Sequence, residues 1–319
     1  MGLVADLQPT NFLAEKQRFL ASPNFNPQFN YYRFFATEDL VQNGLPNTKY
    51  IDLAEKIIET TFTKFSIEEL QSQRGELLNE EIVSREIRNF LKLHGLERKF
   101  EIIWSAEFVS RAAINANEIK LRLPCSIYKE DLDSLLYHEI GTHALRRINY
   151  EQQPWFKKKK NYGFAPYLKT EEGLAVLHAM YPQKMQLTYM AALNFLATIK
   201  AQEESFLEVW QYLNHYLGDA ERAFTLTFKK KRGLTDTSRP GGFTKDYVYF
   251  EGFVETTKFM VENNFPLKEL YYGKISWQDI TKAVVLNPKF QPILPRFYTK
   301  DPDAYKRKVA EIAKENFLV

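Results

Sequence analysis

Apolar residues recur at three- and four-residue intervals from Ile51 to Phe65 and again from Asn79 to His94, the spacing of amphipathic helices. Gly95 follows the second run and suits a helix C-terminus, where glycine takes a left-handed conformation without a side-chain penalty. The period then drops to two. Ile119, Leu121 and Leu123 alternate with Lys120 and Arg122, as in a strand with one apolar face, and Lys99 to Trp104 reads as a second short strand. Asn115, Ala116 and Asn117 suit a tight turn before the first of these, and Pro124 ends it because proline has no N–H for the ladder. Helical spacing returns from about Asp131 to Asn149, with Ser126 as a candidate cap. It begins again at Thr170, where Glu171 and Glu172 bring negative charge to the positive end of a helix. The pattern continues with interruptions to about Arg232, breaks at Gly233, Pro240, Gly241 and Gly242, and resumes over Asp246 to Glu262 and Asp303 to Phe317.

The first fifty residues differ. Pro9, Pro23, Pro27 and Pro46 oppose long helices, while Phe29, Tyr31, Tyr32, Phe34 and Phe35 cluster, so this stretch predicts an extended arm laying aromatics onto a core. The fold class expected is α+β and helix-rich, with one small sheet. Residues 1–50 form the arm and residues 51–319 the main domain, as one body or as an N-terminal lobe with the sheet and an all-helical C-terminal lobe.

Charge and cysteine usage narrow the chemistry. A net charge of +3 on 319 residues points to neither a nucleic-acid nor a membrane partner, so any basic recognition surface must be local. Cys125 is the single cysteine, which excludes an intrachain disulfide and a thiolate cluster; a metal would need His and carboxylate ligands. Met1 to Asn11 lacks the pattern of a signal peptide, and no run approaches the roughly 20 apolar residues of a membrane span. A cytoplasmic protein is the expectation.

The candidate chemistry lies at Tyr137-His138-Glu139-Ile140-Gly141-Thr142-His143. A familiar zinc motif sets two histidines four residues apart with a glutamate after the first. Here they are five apart. In a regular α-helix that separation turns the second ring about 140° from the first, against about 40° for four. A π-bulge would absorb the extra residue, and Gly141 between the histidines is the residue best able to tolerate it. Catalytic zinc takes three protein ligands and keeps a position open. Glu171-Glu172-Gly173-Leu174-Ala175 offers the third ligand at the start of the next helix, with Glu172 favoured and Glu171 the alternative. Glu139, beside the metal but not ligating it, suits a catalytic base.

These motifs, with Gln153-Pro154-Trp155 and Gly241-Gly242-Phe243-Thr244-Lys245-Asp246 followed by Tyr249, resemble the family of microtubule-associated tyrosine carboxypeptidases and their bacterial relatives, named for a Gln-Glu-Gly-Leu-Ala motif. The resemblance spans roughly residues 25 to 265. It implies a zincin-like metallopeptidase in which His138, His143 and Glu172 bind zinc and Glu139 is catalytic. It further implies hydrolysis at the C-terminal tail of a peptide or protein. Glu171 stands where the bacterial motif has Gln, which favours the second glutamate as ligand.

A carboxypeptidase needs a cation for the terminal carboxylate of its substrate. Lys245, Arg232 and Arg222 are the candidates, and Tyr249 is the candidate oxyanion donor. His178, His94 and His215 read as structural, and Arg146 and Arg147 as charges at a helix C-terminus. The basic runs Lys157 to Lys160 and Lys229 to Arg232 read as solvated faces, or as attractors of an acidic tail. The competing reading is a zinc-binding regulatory module without turnover, or a hydrolase of a non-peptide amide.

Overall fold

The computed structural model describes residues 3–108, 110–115 and 117–319, so Ala116 of the expected turn lies outside the described residues. The principal helices, in chain order, are α1 (Phe12–Ala21), α2 (Ile51–Lys64), α3 (Glu80–Leu93) and α4 (Lys129–Leu136). They continue with α5 (Leu145–Glu151), α6 (Leu168–Met180), α7 (Tyr189–Glu203), α8 (Phe206–Leu217), α9 (Ala220–Lys231), α10 (Tyr247–Glu262) and α11 (Pro302–Glu315). A three-stranded sheet combines β1 (Glu101–Ser105), β2 (Ala112–Ile114) and β3 (Glu118–Arg122). No helix among the described residues is long and apolar enough to cross a membrane.

The chain divides into two compact units. The first joins Met1–Glu68 to Thr188–Glu251, and the second joins Glu69–Leu187 to Gly252–Val319.

In the first unit, α1 occupies the interval between Pro9 and Pro23, a helix that proline density argued against; both prolines lie outside it. Its Phe19 meets Phe206 and Trp210 edge-on at 5.3 and 5.1 Å, geometries favoured by the ring quadrupole. Of the clustered arm aromatics, Phe29 and Phe35 are buried, but Tyr32 and Phe34 are exposed, so only part of the arm supplies core.

The run Lys229 to Arg232 is not a solvated face. Lys230, Lys231 and Arg232 are buried, each with its own partner. Lys230 Nζ binds Asn194 Oδ1 at 2.7 Å and pairs with Asp246. Lys231 Nζ donates to the carbonyls of Ala201, Glu204, Arg239 and Gly241, tying the end of α7 to the loop before α10. Arg232 lies 4.4 Å over the Phe243 ring. Lys231→Met should leave those carbonyls without their donor and cost about 3 kcal/mol in urea unfolding, given about 1–3 kcal/mol per orphaned buried group. An unchanged midpoint would show that water replaces the ammonium.

In the second unit, β3 is central, parallel to β1 and antiparallel to β2. Ile119 and Leu121 are buried, as the alternation predicts. Strand β2, too short to show a period, escaped the pattern. Helix α3 takes its cap from Asn79, whose Oδ1 accepts from Ile82 N, and Gly95 follows its end at φ 66°. Ser126 does not cap α4, whose flanking residue Tyr128 makes no side-chain cap bond. Thr170 does not start α6 but sits inside it, accepting from Trp277 N.

Candidate metal centre

Between α4 and α5 the backbone runs as a π-helix over Tyr137–Ala144, the widened turn that the five-residue spacing predicts. It returns His138 and His143 to one side, with ring centroids 4.9 Å apart. Thr142 consolidates the turn by donating from Oγ1 to Tyr137 O at 2.9 Å. Gly141 is needed for a reason other than backbone freedom, since its φ is not positive. A Cβ there would lie 2.8 Å from Phe297 Cε1, so the glycine makes room for a ring packed on the turn.

Helix α6 packs against this π-helix and brings up the carboxylates. Donor atoms of His138, His143 and Glu172 all lie within 4.8 Å of one another. His143 Nε2 is 3.4 Å from Glu172 Oε2. Zinc bonds of about 2.1 Å at tetrahedral angles separate two donors by about 3.4 Å, so this pair has the required spacing. The other donors need only a small closure. Two imidazoles and a carboxylate are the ligand chemistry of zinc, and the residues present fit it.

Each imidazole is also held from behind. His143 Nδ1 is 2.9 Å from Glu171 Oε1, and His138 hydrogen-bonds the backbone of Ala175. A carboxylate only accepts, so Nδ1 of His143 carries the hydrogen and Nε2 is the nitrogen turned to Glu172. Such partners fix ring orientation and tautomer at metal sites.

Glu171 braces His143 from behind, and Glu172 faces the other ring nitrogen of His143. Lys274 Nζ lies 3.0 Å from Glu171 Oε1, and Arg146 Nη1 lies 3.0 Å from Oε2. The Arg146 contact is Coulombic, because neither atom has hydrogen-bond geometry there. The other guanidinium nitrogens of Arg146 donate to the carbonyls of Gly273 and Ile275. Arg146 is fully buried and belongs to the site's support, not to the helix dipole.

The electrostatics favour a cation. Burial opposes charge on His143, but Glu171 and Glu172 outweigh it and raise the imidazole to about 10. Burial, with the charge of His143, lowers His138 to about 3. Burial raises Glu139 above the usual carboxylate range, and His143 only partly counters it. Glu171 is held below that range because Lys274, Arg146 and His143 overcome its burial.

His178 is no ligand. It is buried between Thr142 Oγ1 at 2.7 Å and Tyr305 Oη at 2.9 Å. Thr142 already spends its hydrogen on Tyr137 O, so His178 Nδ1 donates to Thr142 and Nε2 accepts from Tyr305. Burial keeps the ring neutral, consistent with those roles.

The remaining predicted residues lie in the first unit. Tyr249 is a half-buried residue of α10, and Lys245 is half-buried in the loop before it. Arg222 bonds Asp219 Oδ1 through its backbone N and reaches Met190 Sδ at 3.5 Å. Arg232 is buried with no hydrogen-bond partner for Nε among the described residues. Sequence reasoning missed Lys274, which pairs with Glu171. Arg146 carried a usable signal, lying one helical turn after His143 on the same face.

Fold and site together define a helix-rich α+β protein with a two-histidine, one-glutamate centre on adjoining helices. Residues 36–291 match the model of the microtubule-associated tyrosine carboxypeptidase family. Human microtubule-associated tyrosine carboxypeptidase 1 is 32% identical over 324 residues, covering 99% of this chain and 68% of the relative. Its mouse counterpart is 29% identical over 99% of this chain and 69% of its own length. The chain belongs to the microtubule-associated tyrosine carboxypeptidase family.

Proposed function

We propose that this chain is a zinc-dependent carboxypeptidase of zincin-like fold that removes the C-terminal residue of a peptide or protein tail. The observation that carries this reading is the approach of His138, His143 and Glu172 to within 4.8 Å, with Glu139 adjacent and outside the trio. The names of the relatives supply the substrate class, a C-terminal tyrosine.

Zinc held by the trio would polarise the scissile carbonyl and acidify a water. Glu139 takes a proton from the attacking water and returns it to the leaving amine nitrogen. Glu171 keeps His143 in the tautomer and orientation that the trio requires. For the terminal carboxylate, Lys245, Arg232 and Arg222 are the proposed receptors, as cations able to pair with it. Tyr249 is the proposed donor to the oxyanion.

The test is metal content by elemental analysis, paired with mass spectrometry of peptides differing only in their last residue. About one zinc per chain is expected, with trimming of aromatic C-termini that stops on chelation and returns with zinc. Protein that takes up no zinc would end this reading. Zinc uptake without trimming of any peptide would favour the binding module.

A further inference from the structure

Behind the π-helix, within the second unit, lies a cavity of about 300 Å³ that the proposed reaction does not use. Its apolar wall is aromatic. Phe90 and Phe297 are buried side chains, and Tyr137 stacks on Phe297 at 4.3 Å. Its polar groups are of both signs. Glu86 and Asp133 supply carboxylates, and Arg296 and Lys300 supply cations. Glu86 is paired on its own helix with Arg85 and Asn89. Asp133, Arg296 and Lys300 have no side-chain hydrogen bond or ion pair among the described residues. Asp133 also carries a raised pKa, from partial burial first and then from Glu130 and Glu86, so its surroundings favour an added positive charge.

We infer that this cavity is a binding site for a free α-amino acid with an aromatic side chain. The volume is at the lower end of small-ligand sites, about 300–1,000 Å³, which favours a single amino acid over a peptide. A zwitterion answers both unpaired signs at once: ammonium to Asp133, carboxylate to Arg296 and Lys300. The aromatic wall takes the ring. The choice of amino acid as product class rests on the proposed carboxypeptidase reading; the charge pattern does not.

The position gives such a site a consequence. Tyr137 opens the π-helix and its carbonyl accepts from Thr142, while the Phe297 ring packs on Gly141. An occupant of the cavity therefore touches the Phe297 ring that packs on Gly141 and the side chain of the residue that opens the turn carrying His138 and His143, and a released amino acid would act back on the centre from behind.

The experiment uses the full chain stripped of metal, so that no binding at the trio contributes. L-tyrosine, N-acetyl-L-tyrosine and L-tyrosinamide are titrated calorimetrically against wild type, Asp133→Asn, and the double variant Arg296→Ala, Lys300→Ala. All three positions are exposed, and the variants should fold. L-tyrosine should bind wild type at millimolar concentration or below, with N-acetyl-L-tyrosine and L-tyrosinamide each about tenfold weaker, as expected for loss of one charge-assisted contact. Asp133→Asn should weaken L-tyrosine and spare the acetylated compound. The double variant should bind L-tyrosine no better than its amide. Failure of L-tyrosine to bind, or binding that ignores all three substitutions, would overturn the site. Because the assay needs neither zinc nor turnover, its failure is separable from failure of the carboxypeptidase reading.

Discussion

Glu139→Gln should lower hydrolysis by about 10²–10⁴-fold, the usual contribution of a positioned acid–base group, while leaving metal content at the wild-type level. Glutamine keeps the size and shape of glutamate but cannot accept the proton of the attacking water. The donor trio is complete without Glu139, so zinc uptake should not depend on it. Nor is Glu139 part of the support behind the histidines, which consists of Glu171, the Ala175 backbone, Arg146 and Lys274. The measurement is kcat on a peptide with an aromatic C-terminus, alongside elemental analysis of both proteins. Turnover close to wild type would move the base elsewhere. Loss of zinc in step with activity would make Glu139 a ligand.

Gly173→Ala should be strongly disruptive, because its added methyl meets backbone and not a movable side chain. A Cβ at Gly173 would fall 2.1 Å from both the carbonyl carbon and oxygen of Gly252, and a Cβ at Gly252 would fall 2.1 Å from Lys169 O. These are backbone atoms, so no side chain can swing away. Helices α6 and α10 must part instead, losing close packing along the crossing. A cost above about 3 kcal/mol in urea unfolding is expected, the upper end of overpacking. Glu172 directly precedes the clash, so zinc content should fall as well. Gly95→Ala is the control, with nothing within 4 Å of its Cβ and only a left-handed φ to strain. It should cost about 1 kcal/mol and spare the metal. If Gly173→Ala unfolds like wild type, the two backbones do not meet as closely as 2.1 Å implies.

Much of the local structure was legible along the chain. The three- and four-residue spacing of α2 and α3, the alternation of Ile119 and Leu121, and the five-residue separation of His138 and His143 are each periodicities, and a periodicity states which residues share a face. That is why the π-turn is legible in the sequence. The local signals that misled were those whose effect depends on a partner. Ser126 and Thr170 have capping chemistry, yet Ser126 finds no helix end to cap and Thr170 meets Trp277 instead.

Tertiary structure alone decided the rest. Lys230, Lys231 and Arg232 look like surface, because charge ordinarily stays in water; only the assembled carbonyls, Asp246 and Phe243 make their burial tolerable. The division of labour between Glu171 and Glu172 rests on a rotation of about 100° between consecutive helical residues. That turns one toward Arg146, Lys274 and the back of His143, and the other toward His143 Nε2. Gly173 needs Gly252, a residue 79 positions away, to reveal why it has no side chain. Sequence by itself determined which residue types stand at which spacing, because those follow from covalent geometry and helical pitch. Which of them face one another is set by packing between distant segments, and spacing along the chain carries no record of it.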